Sequence, residues 1–279
     1  MDAGLLKTMM SDITYRTFRT FTLNRGRIFP QSTDLTVEAP LQIIINDQPH
    51  TLVMFTPYHV KELVVGFIFT EGLITEIKDI TGFSVGAERR KDGDDIIEAR
   101  VNIAPQTPFP SAVSGRRISY SSCGICGTEN YDHLRDRLRR VKSRHRFSME
   151  MLKQASSGLK AFQPLYTRTG GAHAAVLFDS NGNKILHAED MGRHNALDKV
   201  IGASLIQGIV PEDKVLVSSG RASLEMILKI ARIGFPVFVV MSRPTSRAVE
   251  AAKFYNVTLI DMARDTNRIY SHARRIEEF

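Results

Sequence analysis

No apolar run in the 279 residues is long enough to span a bilayer. The first residues, Met1-Asp2-Ala3-Gly4, lack the charged-then-apolar layout of a secretion signal. A helical membrane protein is therefore not expected, and neither is export. There is no G-x-x-x-x-G-K-[ST] and no G-x-G-x-x-G after a strand, so ATP hydrolysis and NAD binding in their usual modes are unsupported. No internal repeat or low-complexity segment is present. Cysteine occurs only twice, at Cys123 and Cys126. With nothing to imply export, such a pair fits a reducing cytoplasm, where a C-x-x-C is catalytic or metal-binding more readily than a structural bridge.

What is there begins with that pair, in Ser121-Ser122-Cys123-Gly124-Ile125-Cys126-Gly127. Small, flexible flanks argue against two simply buried hydrophobes. Three chemical uses stay open: a redox dithiol, half of a zinc site, or a sulfur-carrying nucleophile with a neighbour. A formal charge of +7 points to an anionic ligand or acidic partner without choosing between them.

Along the chain, Ile13–Leu23 loosely alternates and Asn24-Arg25-Gly26 offers a turn. Leu41–Ile45 and Thr51–Phe55 read as a hairpin across Asn46-Asp47. Thr56-Pro57 is expected to open a helix that carries Val60, Leu63, Val64, Phe67 and Ile68 on one stripe and ends at Gly72. Phe83–Ala87 and Ile96–Ile103 form a second hairpin pattern. After Gly127 a helix is expected with a basic tail, in which Arg135, Arg139, Lys142 and Arg146 share a face. That tail has no interleaved aromatics, which disfavours nucleic acid. From His173 onward strands alternate with helices, implying a largely parallel sheet between helical layers. The expected architecture is α/β, with an α+β unit over 1–120, the cysteine loop and basic helix over 121–147, and the main α/β domain over 148–279.

Three strand-to-helix junctions share a design: Asp190-Met191-Gly192-Arg193-His194, Ser218-Ser219-Gly220-Arg221 and Ser242-Arg243-Pro244-Thr245-Ser246. Each offers small or hydroxylated residues, a helix N-terminus and an arginine, a combination suited to phosphate. In an open parallel sheet all three lie where ligands bind. His187-Ala188-Glu189 matches half of a zinc deaminase signature, but the C-x-x-C lies before it and Ser122 replaces the proline. Redox use of Cys126 would need a strand that Arg116–Tyr120 is too short and polar to supply. A mobile, electropositive thiolate suits sulfur carriage better.

These motifs resemble the formate dehydrogenase accessory sulfurtransferases, the FdhD or NarQ family. Cys123-Gly124-Ile125-Cys126-Gly127 and Glu189-Asp190-Met191-Gly192-Arg193-His194-Asn195-Ala196-Leu197-Asp198-Lys199 carry the resemblance. Thr169-Gly170-Gly171, His173-Ala174-Ala175, Ser218–Arg221, Gly66-Phe67 and Thr70-Glu71-Gly72 add to it. The resemblance implies a sulfurtransferase that takes sulfur from a cysteine desulfurase as a persulfide on Cys123, with Cys126 as helper. The acceptor it implies is the molybdenum cofactor, as bis-molybdopterin guanine dinucleotide, for a formate dehydrogenase. It further implies a cytidine deaminase-like three-layer domain without zinc or any other metal, a smaller N-terminal α+β domain, and a cytoplasmic homodimer. Gly192, Arg193, His194, Ser219, Gly220, Arg221 and Arg243 are the expected cofactor contacts. Met262, Ala263, Arg264, Asp265, Thr266 and Asn267 join them, although the chain departs here from the Gly-Phe and basic segment usual in the family. A non-catalytic cofactor-binding chaperone is the alternative.

Overall fold

Asn46 and Asp47 adopt φ of 47° and 60°, a left-handed pair that closes a two-residue hairpin. In the computed structural model, which describes residues 14–88, 95–104, 117–118, 138–263 and 267–279, this turn joins β3 (Ala39–Ile45) to β4 (Gln48–Phe55). β5 (Ile80–Glu88) pairs antiparallel with β6 (Ile96–Ile103), and β6 runs parallel to β3. With β7 (Arg117–Ile118) they form a sheet of order β5-β6-β3-β4-β7. Leu41, Ile43, Ile45, Phe55, Ala99 and Val101 are buried in a core shared with helix α1 (Val60–Thr70).

The helix does not start at Thr56. His59 stands before it in the left-handed region at φ 53°, and the first helical residue is Val60. The reason is that Thr56 is already engaged elsewhere. Its N–H donates to Asp190, its hydroxyl accepts from Met191 N–H, and its carbonyl accepts from Lys199. At the other end Gly72 sits at φ 77°, as a helix terminator does.

Short α2 (Met149–Ser157) and α3 (Pro164–Thr169) precede the second sheet. It contains β8 (His173–Phe178), β9 (Lys184–Asp190), β10 (Val215–Arg221), β11 (Val237–Ser242), β12 (Thr258–Asp261) and β13 (Arg268–Ile269), in the order β13-β12-β11-β10-β8-β9. Here the expected parallel sheet is corrected to a mixed one. β10, β11 and β12 are mutually parallel, whereas β8 is antiparallel to both β10 and β9, and β13 is antiparallel to β12. A tight β8–β9 turn, with Asp179 Oδ1 accepting from Asn181 and Asn183 N–H, permits only antiparallel pairing. Because β8 is inserted, β9 recovers the direction of β10, β11 and β12, and all four end at one edge.

Residues on one face, among them Leu177, Leu216, Phe238 and Leu259, pack in the core with α4 (Arg193–Ile206), α5 (Leu224–Ile233) and α6 (Ser246–Tyr255). Val176, Val217, Val239 and Ile260 on the other face meet Phe147, Leu152 and Ile276. Helices therefore cover both faces. Among the described residues no helix is long and apolar enough to cross a membrane.

The basic segment is a second correction. Residues 138–146 are not helical. Arg140, Lys142 and Arg144 are exposed while Val141 and Ser143 are buried, the two-residue period of extended chain. Val141 N–H donates to Tyr255 O and Asn256 Nδ2 donates to Val141 O, which pins the segment along the end of α6. Arg135 and the loop with Cys123 and Cys126 lie outside the described residues.

β1 (Tyr15–Asn24) and β2 (Arg27–Thr36) form a separate two-stranded ribbon. It is held at its base, where Asp34 pairs with Arg168 at 2.7 Å and the Thr36 and Thr169 hydroxyls meet at 2.7 Å. Phe21, Leu23 and Ile28 near its turn are 64%, 71% and 69% exposed.

The two sheets are joined through α1 and α4, which touch backbone to backbone. A Cβ on Gly66 would stand 1.9 Å from Asp198 O, and one on Gly202 would stand 1.9 Å from Glu62 O. No side chain fits. Gly202→Ala is therefore expected to cost about 3 kcal/mol or more in urea denaturation, whereas Gly86→Ala, with nothing within 4 Å of its added Cβ, should stay within about 0.5 kcal/mol of the parent. Equal midpoints for the two variants would disprove the close contact.

Candidate functional site

The motif Glu189–Lys199 passes from the end of β9 into α4, and most of it is structural. Glu189 accepts the N–H groups of Leu165 and Tyr166 at 2.8 Å each, capping α3. Its backbone exchanges hydrogen bonds with the Tyr58 hydroxyl. Asp190 and Lys199, both fully buried, pair at 2.7 Å. Lys199 Nζ also donates to Thr56 O at 3.0 Å and lies 3.8 Å from the centre of the Tyr58 ring. Asn195 donates to both Asp190 and Met54 O. Asp198 pairs with buried Lys229 at 2.8 Å and accepts the Thr70 hydroxyl proton. Burial opposes the Lys229 charge, but Asp198, Glu71 and Glu225 outweigh it and hold the ammonium above its ordinary range.

What remains of the motif, Gly192-Arg193-His194, faces the edge where β9, β10, β11 and β12 end. Gly192 is the residue before α4. In β10 the step from Ser218 to Arg221 spans three residues while β11 advances two, from Val240 to Ser242. That bulge re-aims Ser219 and Gly220. A Cβ on Gly220 would sit 3.1 Å from Arg193 Cδ, so the glycine seats the arginine stem. The Ser219 hydroxyl accepts from Ala174 N–H at 2.9 Å and lies 3.4 Å from His173 Nδ1. Arg221 stands opposite Ser242, beside Arg243. Met262 N–H donates to Val240 O, bringing the β12 end alongside.

The structure thus gathers Gly192, Arg193, Ser219, Gly220, Arg221 and Arg243, with Met262 and Ala263 next in line. The Met262 side chain is buried, with the Ser156 hydroxyl 2.9 Å from its sulfur, so it does not face the edge. Asn267 is exposed. Arg264, Asp265 and Thr266, like both cysteines, lie outside the described residues. His173 and the Ser223 cap of α5 were not among the expected contacts. The spacing from Gly170-Gly171 to His173 contains no hint that β8 starts at this edge.

Carboxylates near the edge are already engaged, Asp261 at the end of β12 by Ala263 N–H, the Tyr270 hydroxyl and, at 3.8 Å, Arg268. Asp190 serves Lys199, and Glu225 lies 3.8 Å from Lys229 and 3.5 Å from His194. Arg221 and Arg243 are exposed and form no ion pair among the described residues. An edge so arranged presents positive charge, helix N-termini and hydroxyls to an anion. His194 Nε2 lies 3.3 Å from the Ser223 hydroxyl. Burial, then Lys229 and Arg193, pull its pKa down to about 3, so the ring is neutral near pH 7. His173 is likewise lowered by burial and by Arg193. Among the described residues no three His, Cys, Asp or Glu side chains converge as metal ligands do.

A mixed sheet with helices on both faces and an arginine-bearing edge defines an α/β protein. Sequence comparison is more specific. The sequence model of the FdhD/NarQ family matches residues 36–277, and the chain belongs to that family. It is 36% identical over 252 residues to the sulfur carrier protein FdhD of Bordetella bronchiseptica, covering 88% of each chain. It is 37% identical over 246 residues to the sulfur carrier protein FdhD of Thermoplasma volcanium, covering 86% of this chain and 88% of that one. The crystal structure of a putative formate dehydrogenase accessory protein from Desulfotalea psychrophila superposes with a TM-score of 0.73 at 22% identity, covering 94% of this chain and 99% of that one. That likeness bears on the fold.

The neutral His194 has a consequence for acid stability. An unfolded histidine titrates near 6.5, so between roughly pH 6.5 and 3 the unfolded chain holds a proton that the folded one does not. The contribution of this ring is present above pH 6.5 and is lost as pH falls, by about 1.4 kcal/mol per pH unit. His194→Gln, compared with the parent in urea titrations at pH 7 and 5, should show the shallower acid decline. Parallel declines would mean that the ring is protonated in the fold.

Proposed function

We propose that this chain is a sulfur carrier that receives sulfane sulfur from a cysteine desulfurase and delivers it to the molybdenum cofactor of a formate dehydrogenase. Three supports converge. The chain's family relatives bear the name sulfur carrier protein. A C-x-x-C is present, flanked by serine and glycine. The observation in the fold that carries the reading is the common edge of β9, β10, β11 and β12, where Arg221 and Arg243 are exposed and form no ion pair among the described residues. The acceptor, bis-molybdopterin guanine dinucleotide, is the substrate rather than a resident group, and its phosphates match Arg193, Arg221, Arg243 and the helix N-termini. The cytidine deaminase-like arrangement, the cytoplasmic homodimer and the contacts from Met262 to Asn267 belong to the same proposal.

The carrier step is a thiol exchange. The Cys123 thiolate attacks the terminal sulfur of the donor persulfide, the S–S bond of the donor breaks, and the donor cysteine leaves as thiolate. Cys123 becomes the persulfide with no net oxidation or reduction. Delivery to the acceptor breaks the Cys123 S–S bond and frees Cys123 as thiolate, and the outer sulfur, still at the sulfane level, becomes a sulfide ligand by taking two electrons from the reduced metal of that substrate. At the edge, Arg221 and Arg243 neutralise phosphate charge, and the neutral His194 braces the start of α5.

Intact-mass spectrometry after incubation with a cysteine desulfurase and cysteine tests the first half. A reducible gain of about one sulfur mass is expected, absent in Cys123→Ala and kept in Cys126→Ala. No gain with an active desulfurase overturns sulfur carriage and leaves a cofactor-binding chaperone. For the second half, Arg221→Ala and Arg193→Ala should weaken guanosine diphosphate binding about tenfold, and Arg139→Ala by much less. Equal losses in all three would remove the site from this edge.

A further inference from the structure

The extended segment Lys142–Arg146 forms one wall of an open cleft of about 430 Å³, with Asn256, Arg274 and Arg275 opposite, a size within the range of small-ligand sites. Asn256 follows the last residue of α6 and stands just before β12. The cleft therefore lies at the end of the sheet opposite the edge where β9, β10, β11 and β12 stop. Lys142, Arg144, Arg146, Arg274 and Arg275 line it, and among the described residues no carboxylate does.

None of these five cations forms an ion pair among the described residues. Arg146 donates to the main-chain carbonyls of Ile276 and Glu277. Arg275, only 5% exposed, donates to Ser143 O through Nε and Nη2 and to the Thr258 hydroxyl through Nη1. Glu278 is turned away onto Met149 N–H at the start of α2. Burial, together with Arg274, lowers the Arg275 pKa to about 10. A buried charge held only by neutral groups, with four more cations around it, is an arrangement that a bound anion would stabilise. The C-terminal end of α6 works against an anion, but with only about half an elementary charge against five whole ones.

We propose that this cleft binds a small, multiply charged phosphate anion of the pyrophosphate class. Four of the five cations are guanidiniums, whose planar forks match phosphate oxygens in pairs. Among the described residues no aromatic ring lines the cleft, so none of them stacks a base there, and the phosphate chain itself is what is recognised.

Calorimetric titration of the full-length protein with pyrophosphate at about 0.15 M ionic strength tests this. Saturable binding is expected, weakened about tenfold or more in the Arg144→Ser/Arg274→Ser double variant. Both side chains are exposed, and buried Arg275 stays intact. The Arg16→Ser/Arg27→Ser double variant removes the same charge from the β1–β2 ribbon and should stay within about twofold of the parent. Arg221→Ala, measured alongside, reports on any pyrophosphate held at the other edge of the sheet. The proposal is overturned by the absence of saturable binding, by equal losses in the cleft and ribbon variants, or by loss confined to Arg221→Ala, which would place the pyrophosphate at the other end of the sheet.

Discussion

Two lysines are buried between the two sheets, and the rest of the architecture has to accommodate them. A buried ammonium is tolerable only with a charge partner and filled hydrogen bonds, and removing one partner of such a pair costs about 3–5 kcal/mol. Lys199 meets this through Asp190, the Thr56 and Glu189 carbonyls and the Tyr58 ring; Lys229 meets it through Asp198 and Thr70. Both sets of partners cross from one sheet's territory to the other's. They can do so only where α1 and α4 lie in backbone contact, which Gly66 and Gly202 allow. Charge pairing, glycine contact and the delayed start of α1 after Thr56 are therefore one constraint seen from three sides.

The same constraint shapes the electrostatics of the edge. Asp190 ends β9 and Glu225 opens α5, so each could have neutralised an arginine. Lys199 holds the first at 2.7 Å, and Lys229 draws on the second from 3.8 Å. With those acids occupied, Arg221 and Arg243 remain outward and unpaired among the described residues, and the neighbouring histidines stay neutral in place of adding further charge. An anion meeting this edge finds donors that the fold has already oriented, so little reorganisation opposes binding.

Much of this was legible in the residues. The Asn46-Asp47 turn, the strands after His173 and the amphipathic α5 follow from turn chemistry and period. The convergence of the three arginine-bearing junctions was also legible, although for an incomplete reason. The sheet is not largely parallel; β8 intrudes, and the hairpin to β9 restores the direction that brings the junctions together. Arg139 to Arg146 resembled a helical face because five cations in eight residues satisfy almost any period. The two-residue burial of Val141 and Ser143 depends on Tyr255 and Asn256, more than a hundred positions away. Thr56-Pro57 has the chemistry of a helix start, yet Thr56 is spent on Asp190 and Lys199. The buried role of Lys199 was hidden for a like reason, since a lysine's partner is a tertiary fact.

The β1–β2 ribbon has a bearing on how the protein behaves at high concentration. Ten-residue strands reach roughly 33 Å, among the described residues neither long edge pairs with a third strand, and apolar side chains are exposed near the turn. An edge of this kind is a template for intermolecular β-pairing. What guards it is placed within it: Arg16, Arg19, Arg25 and Arg27 against a single acid, Asp34, with Pro30 interrupting the donors of one edge. Charge repulsion between ribbons on different molecules then opposes stacking most strongly in dilute salt and weakens as the screening length shortens. What opposes ribbon-to-ribbon pairing is thus the charge of four arginines set on the ribbon itself.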